Sequence, residues 1–178
     1  MTAEDRGRTV EVSFAGFDGL IGLPALLEAD SVPYAASVRI AGMALRIGAA
    51  KLLDALERSR SLRRLVKRYV QARLTITAQV ATCNARHDLR QRLGRWLLRM
   101  RDRLDSDDIP FSHKEFAQML GVRRASITVA MQDLERAGAI RQGLGRITIS
   151  NRDMLQAQGC DCYRIVTREY ERLVALGP

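Results

Sequence analysis

The spacing of apolar residues changes along this chain, and each change predicts a different element. Thr9 to Phe14 alternates apolar and polar positions and predicts a strand. Gly16 to Pro24 is a glycine-punctuated turn that leads into a short apolar turn of helix through Leu27. Tyr34 to Ile40 and Met43 to Ile47 predict two further strands, and residues 49–58 a short helix. From 60 to 83 the pattern becomes helical, with Leu62, Leu65, Val66, Tyr69, Ala72, Ile76, Val80 and Cys83 on one side. Arg63, Arg64, Lys67, Arg68 and Gln71 lie on the other. Steps alternating between three and four residues are those of a coiled-coil seam. Self-pairing through Leu62, Leu65, Tyr69, Ala72, Ile76 and Val80 is therefore the expectation, against a helix packed on its own domain. A second long helix over 86–105 turns Leu89, Leu93, Trp96, Leu97, Met100 and Leu104 inward, with Asn84 as its candidate cap, and a loop follows to Pro110.

The stretch from Ser112 to Gly138, SHKEFAQMLGVRRASITVAMQDLERAG, carries the sharpest signals. Ser112 and Glu115 form an S-x-x-E capping box, in which each side chain takes the other's free backbone N–H. Phe116, Ala117, Met119 and Leu120 make one apolar face, and Gly121 supplies a residue that tolerates positive φ where a sharp turn is needed. Ile127, Ala130, Met131 and Leu134 recur at helical spacing in the segment that Arg123 and Arg124 open, and Gly138 ends it. A small residue, a glycine and an apolar residue at these offsets predict a helix-turn-helix rather than a plain helical hairpin. Ala139 to Ser150 then reads as a β-hairpin around Gly143 and Gly145, a wing flanked by Arg141 and Arg146. Those two arginines suit phosphates, the alternative being a solvated pair. Asn151 to Ala175 predicts a helix broken near Gly159, with a solvated face of Arg164, Arg168, Glu169, Glu171 and Arg172.

Composition narrows the class. The chain has 178 residues, 47% of them hydrophobic, and a net charge of +9, which suits a folded protein with a polyanionic partner. No apolar run approaches the roughly 20 residues of a membrane span, and the N-terminus has no apolar signal-peptide core, so a cytoplasmic location is expected. Cys83, Cys160 and Cys162 are an odd set consistent with reduced thiols. The C-x-C pair is a weak metal signal with no second Cys or His cluster nearby in sequence, so metals and cofactors are expected to be none. His87 and His113 stand apart, and His113 reads as a polar residue at a helix start. No P-loop, G-x-S-x-G or H-E-x-x-H pattern supports an enzyme.

In this order the pieces resemble the Crp/Fnr family of bacterial transcription regulators, most strongly over 84–166 and more weakly back to about Gly7. The resemblance implies an α+β, mainly α fold. Its parts would be a partial β-roll (1–50), a hinge and dimerisation helix (51–83) and a winged helix-turn-helix (84–178). A family β-roll has about twice the strands that residues 1–50 supply, so the front of the sensor domain is expected to be missing. In cyclic-AMP-binding members a Glu holds the ribose and an Arg-Ser pair the phosphate. Leu23 and Pro33-Tyr34 stand near those places here, so no cyclic nucleotide is expected, and the cysteine set of oxygen-sensing members is absent. By the same resemblance Arg124 reads a guanine, and Ala125 or Val129 touches a thymine methyl. Ser126 and Thr128 line the groove, while Ser112, His113, Lys114, Arg123, Arg141 and Arg146 meet phosphate. The implied partners are double-stranded DNA, a second copy of the chain and RNA polymerase, with the effector open. An architectural DNA binder and a protein that heterodimerises with a full-length relative are the rivals.

Overall fold

A computed structural model describes residues 1–5, 8–11 and 13–174. It begins with an antiparallel hairpin, β1 (Thr2–Asp5) and β2 (Arg8–Glu11), then α1 (Leu23–Leu26), α2 (Ala49–Arg58) and α3 (Arg60–Arg86). The helix α4 (Leu89–Leu104) leads through β3 (Asp108–Ile109) to α5 (His113–Leu120) and α6 (Arg124–Arg136). Next come β4 (Ile140–Gly143), β5 (Arg146–Ile149), α7 (Arg152–Gln158) and α8 (Cys162–Val174). The fold is α+β and mainly α, as the resemblance implies.

Several expectations change in the N-terminal part. The strand expected over Thr9–Phe14 is realised as β2, one edge of a two-stranded sheet that fits an incomplete β-roll. Val12, like Gly7 and Ala175, lies outside the described residues. Tyr34–Ile40 and Met43–Ile47 form no strand. Val38 is 84% exposed, and Met43 and Leu45 fully so. β-branched and apolar residues favour a strand only where a neighbouring strand covers them, and the exposure of Val38, Met43 and Leu45 shows that these are not covered. The cap of α4 is Asp88 in place of Asn84, which lies inside α3. Asp88 accepts from the N–H of Gln91, whose side chain answers the Asp88 N–H, an aspartate version of the capping box.

The core belongs to the C-terminal half. Leu93, Trp96, Leu97 and Met100 of α4 face inward as predicted, and the helix is buried on its remaining sides from Leu93 to Met100. Trp96, Phe111 and Phe116 meet edge-to-face, with ring centroids 5.1–6.0 Å apart, and join α4 to α5. Gly94 allows α4 to pass close to the break between α7 and α8, since a Cβ there would sit 3.2 Å from Gly159 Cα. The loop expected over 105–110 contains β3, which pairs with β5 and makes the wing a three-stranded sheet of order β3-β5-β4. Two residues are too short a run for periodicity to register. The long helix α3 packs mainly on α8, burying Tyr69, Ala72, Ile76 and Cys83 within the chain. Leu62, Leu65 and Val80 keep partial exposure.

Candidate nucleic-acid interface

The interface is built from the Ser112 cap outward. The Ser112 N–H donates to Glu115 Oε2 at 2.7 Å, and the Glu115 N–H donates to Ser112 Oγ at 3.4 Å. The Ser112 backbone and side-chain hydrogen bonds together hold the Glu115 carboxyl below its ordinary value. At the far end of α5, Gly121 adopts φ 66 and the Arg92 guanidinium donates to the Leu120 carbonyl at 2.9 Å. That contact ties the turn to α4.

The helix α6 starts at Arg123, whose side chain makes no capping bond. The helix dipole favours an anion at this end. Ile127, Ala130, Met131 and Leu134 bury one face. The opposite face exposes Arg124, Ala125, Ser126, Val129 and Gln132. The family resemblance placed the first four of these; Gln132, one turn beyond Val129, was missed. Its amide could have been found by extending the exposed stripe one step further, since Gln can pair with adenine in the major groove.

Three expected contact residues, Thr128, His113 and Ser112, are committed inside the protein. Thr128 is half-buried; its hydroxyl lies 3.1 Å from His113 Nδ1 and donates to the Arg124 carbonyl at 3.2 Å. It joins the two helices of the motif and sets their crossing. The Ser112 hydroxyl donates to Glu115 Oε2 and serves the cap. Lys114, Arg123, Arg124, Arg141 and Arg146 are all exposed. Among the described residues none of these five pairs with a carboxylate, whereas Arg101, Arg103, Arg136, Arg152 and Arg172 do.

The wing follows α6 directly. Arg141 faces Thr148 across the β4–β5 ladder and Gly143 faces Arg146, with Leu144 and Gly145 (φ 68) in the exposed turn. Glu135 pins the wing to α6 by accepting the Gln142 N–H at 2.8 Å and the Gln142 amide at 2.7 Å. Both bonds lower the Glu135 carboxyl from its ordinary value, the backbone bond most. Arg141, Arg146 and the exposed face of α6 are thereby held as parts of one rigid unit.

One sequence reading is corrected outside this face. Cys160 and Cys162 do have Cys and His neighbours, because α3 brings Cys83 and His87 to them. The intervals between them in sequence are too long for spacing alone to reveal it.

Residues 91–158, from the first turn of α4 to the end of α7, match the model of the Crp-like helix-turn-helix domain. No curated protein matches the chain. Among solved structures, a protein described as a transcriptional regulator of the Crp/Fnr family from Eubacterium rectale is 18% identical, with a TM-score of 0.49. The match covers 62% of this chain and 51% of that one, so the chain spans about half the length of that protein. Within the described residues no helix is long and apolar enough to cross a membrane. With the capped α5, the turn at Gly121, the open face of α6 and the wing all inside the matched span, the chain carries a Crp-like helix-turn-helix domain.

Proposed function

We propose that this chain is a sequence-specific transcription regulator that binds a two-fold symmetric operator as a homodimer and does not respond to cyclic nucleotides. The carrying observation is the exposed face of α6, with Arg124, Ser126 and Gln132 on it and exposed cations around it. Arg124 reaches guanine O6 and N7 together, a contact worth about 1–3 kcal/mol of discrimination. Ala125 and Val129 offer apolar surface to a thymine methyl. Lys114, Arg123, Arg141 and Arg146 meet the backbone and set the register. Thr128 and His113 act as positioning residues, keeping α6 at its angle to α5.

Pairing of two copies uses the part of α3 that α8 leaves uncovered, Leu62, Leu65 and Val80. It sets the recognition helices about one helical turn, ~34 Å, apart. A second reading, a binder without base readout, draws on Ala125 and Val129, which make no hydrogen bonds to base edges.

Selection from random duplexes in near-physiological salt, with the mass of the free and bound protein in solution, tests both readings. A symmetric motif and a dimer mass support the proposal, and retention without a motif supports the second reading. Arg124→Ala relaxes base preference at one position per half-site. An equal loss on every sequence refutes that role for Arg124.

A further inference from the structure

The two ends of the DNA-binding domain meet at a cluster that the interface does not use. Cys83 lies in the last turn of α3 and His87 is that helix's C-cap, one turn further on. Cys160 lies in the break after α7, and Cys162 opens α8. All four residues flank the matched span of 91–158, two on each side. Their ligand atoms all lie within 4.8 Å of one another. Cys83 Sγ is 3.5 Å from Cys160 Sγ, and Cys162 Sγ is 3.5 Å from His87 Nδ1. Cys83 is fully buried, Cys162 2% exposed and Cys160 9% exposed.

We propose that Cys83, His87, Cys160 and Cys162 form a structural zinc site that clasps α3 to α8 at the base of the DNA-binding domain. The donor set is three thiolates and one imidazole, a common structural zinc combination. The spacing favours a single ion: a tetrahedron with Zn–S of ≈ 2.3 Å has edges of about 3.8 Å between sulfurs. An iron–sulfur cluster spreads its four ligands over at least two irons, and ligands on different irons stand further apart than these.

The surroundings fit the same ion. Zn²⁺ with three thiolates and a neutral imidazole carries a net charge of −1. Arg95, 4% exposed, is the buried cation beside it. The Gln79 amide donates to Cys162 Sγ at 3.1 Å, an outer hydrogen bond that orients the ligand. An open groove lined by His87, Gln91, Gly159 and Cys160 gives a path for the ion. The same ion ties the long helix to the recognition helix through α8 and α4, since α8 packs on α4 and α4 packs on α6. This inference rests on the cluster alone and stands apart from the DNA reading.

The test uses the full chain purified without chelator, with metal content measured by mass spectrometry and Co²⁺ exchanged for the native ion. One zinc per chain, and a tetrahedral thiolate-cobalt spectrum, are expected. Cys160→Ser, Cys162→Ser and His87→Ala each lower metal affinity by more than about 100-fold, while Asp161→Asn keeps it. Thiol titration of the wild type covers variants that fail to fold. With metal bound the three thiols react slowly, and a chelator makes all three reactive. The proposal is overturned if zinc-reconstituted protein holds no metal, if the cobalt spectrum is octahedral, or if an iron–sulfur chromophore appears. A Cys83–Cys160 disulfide in freshly reduced, zinc-treated protein also overturns it. Motif selection in parallel keeps the outcomes separate, since a protein that selects a specific operator but holds no zinc after reconstitution sinks the zinc site and leaves the DNA reading standing.

Discussion

Neutralising one wing arginine, Arg146→Gln, tests how this surface meets a duplex. Lys114, Arg123, Arg141 and Arg146 are the four exposed cations assigned to phosphate, and none is held by a carboxylate among the described residues. A dimer therefore brings about eight phosphate contacts, and log K falls with log salt at a slope of roughly −7. Between 50 and 200 mM KCl the affinity drops about 10⁴-fold. Losing Arg146 removes two contacts per dimer and brings the slope to roughly −5, whereas a monomer would change from about −4 to about −3. The assay is fluorescence anisotropy of a labelled duplex across a KCl series. Arg172→Gln is the control, because Arg172 is already bonded to Glu169 on α8 and should leave the slope unchanged. A slope that stays the same in Arg146→Gln refutes the phosphate role of the wing. A wild-type slope near zero refutes the counterion argument for the whole surface.

Three further outcomes follow from the packing and the caps. Ser112→Ala removes the acceptor for the Glu115 N–H and costs about 1 kcal/mol, lowering Tm by about 2–4 °C in a thermal melt. The Glu115 and Glu135 carboxyls are depressed in the folded state. Their contribution is therefore full above the ordinary carboxylate value and is lost as pH falls through the folded value. Urea midpoints across an acid pH series should show Glu115→Gln flattening that decline, and an unchanged pH profile would refute the link. Gly94→Ala puts a Cβ 3.2 Å from Gly159 Cα and 3.6 Å from the Leu155 carbonyl, costing about 1–3 kcal/mol in urea unfolding. Gly42→Ala meets nothing within 4 Å and should stay within about 0.5 kcal/mol.

Local signals in the sequence were enough for the capped α5, the glycine turn, α6 and the wing hairpin. Each depends on residues a few positions apart: Ser112 with Glu115, Gly121 between two apolar faces, and the β-branched alternation of Arg146 to Ile149. The buried face of α6 was legible for the same reason, because helical periodicity fixes which side chains share a side, while the residues of its exposed face were assigned from the family resemblance. What required long-range proximity was not legible. Strand propensity at 34–47 cannot say whether a neighbouring strand exists, and those residues form none. The heptad-like seam of α3 cannot say which helix covers it. Tertiary packing put α8 over Tyr69, Ala72 and Ile76, where the spacing pointed to a second copy. Cys83 and Cys160 are 77 positions apart, and only the run of α3 beside the start of α8 brings their sulfurs to 3.5 Å. Sequence spacing determines neighbours along a helix or strand; which elements lie against each other is decided by the burial of the whole apolar surface at once.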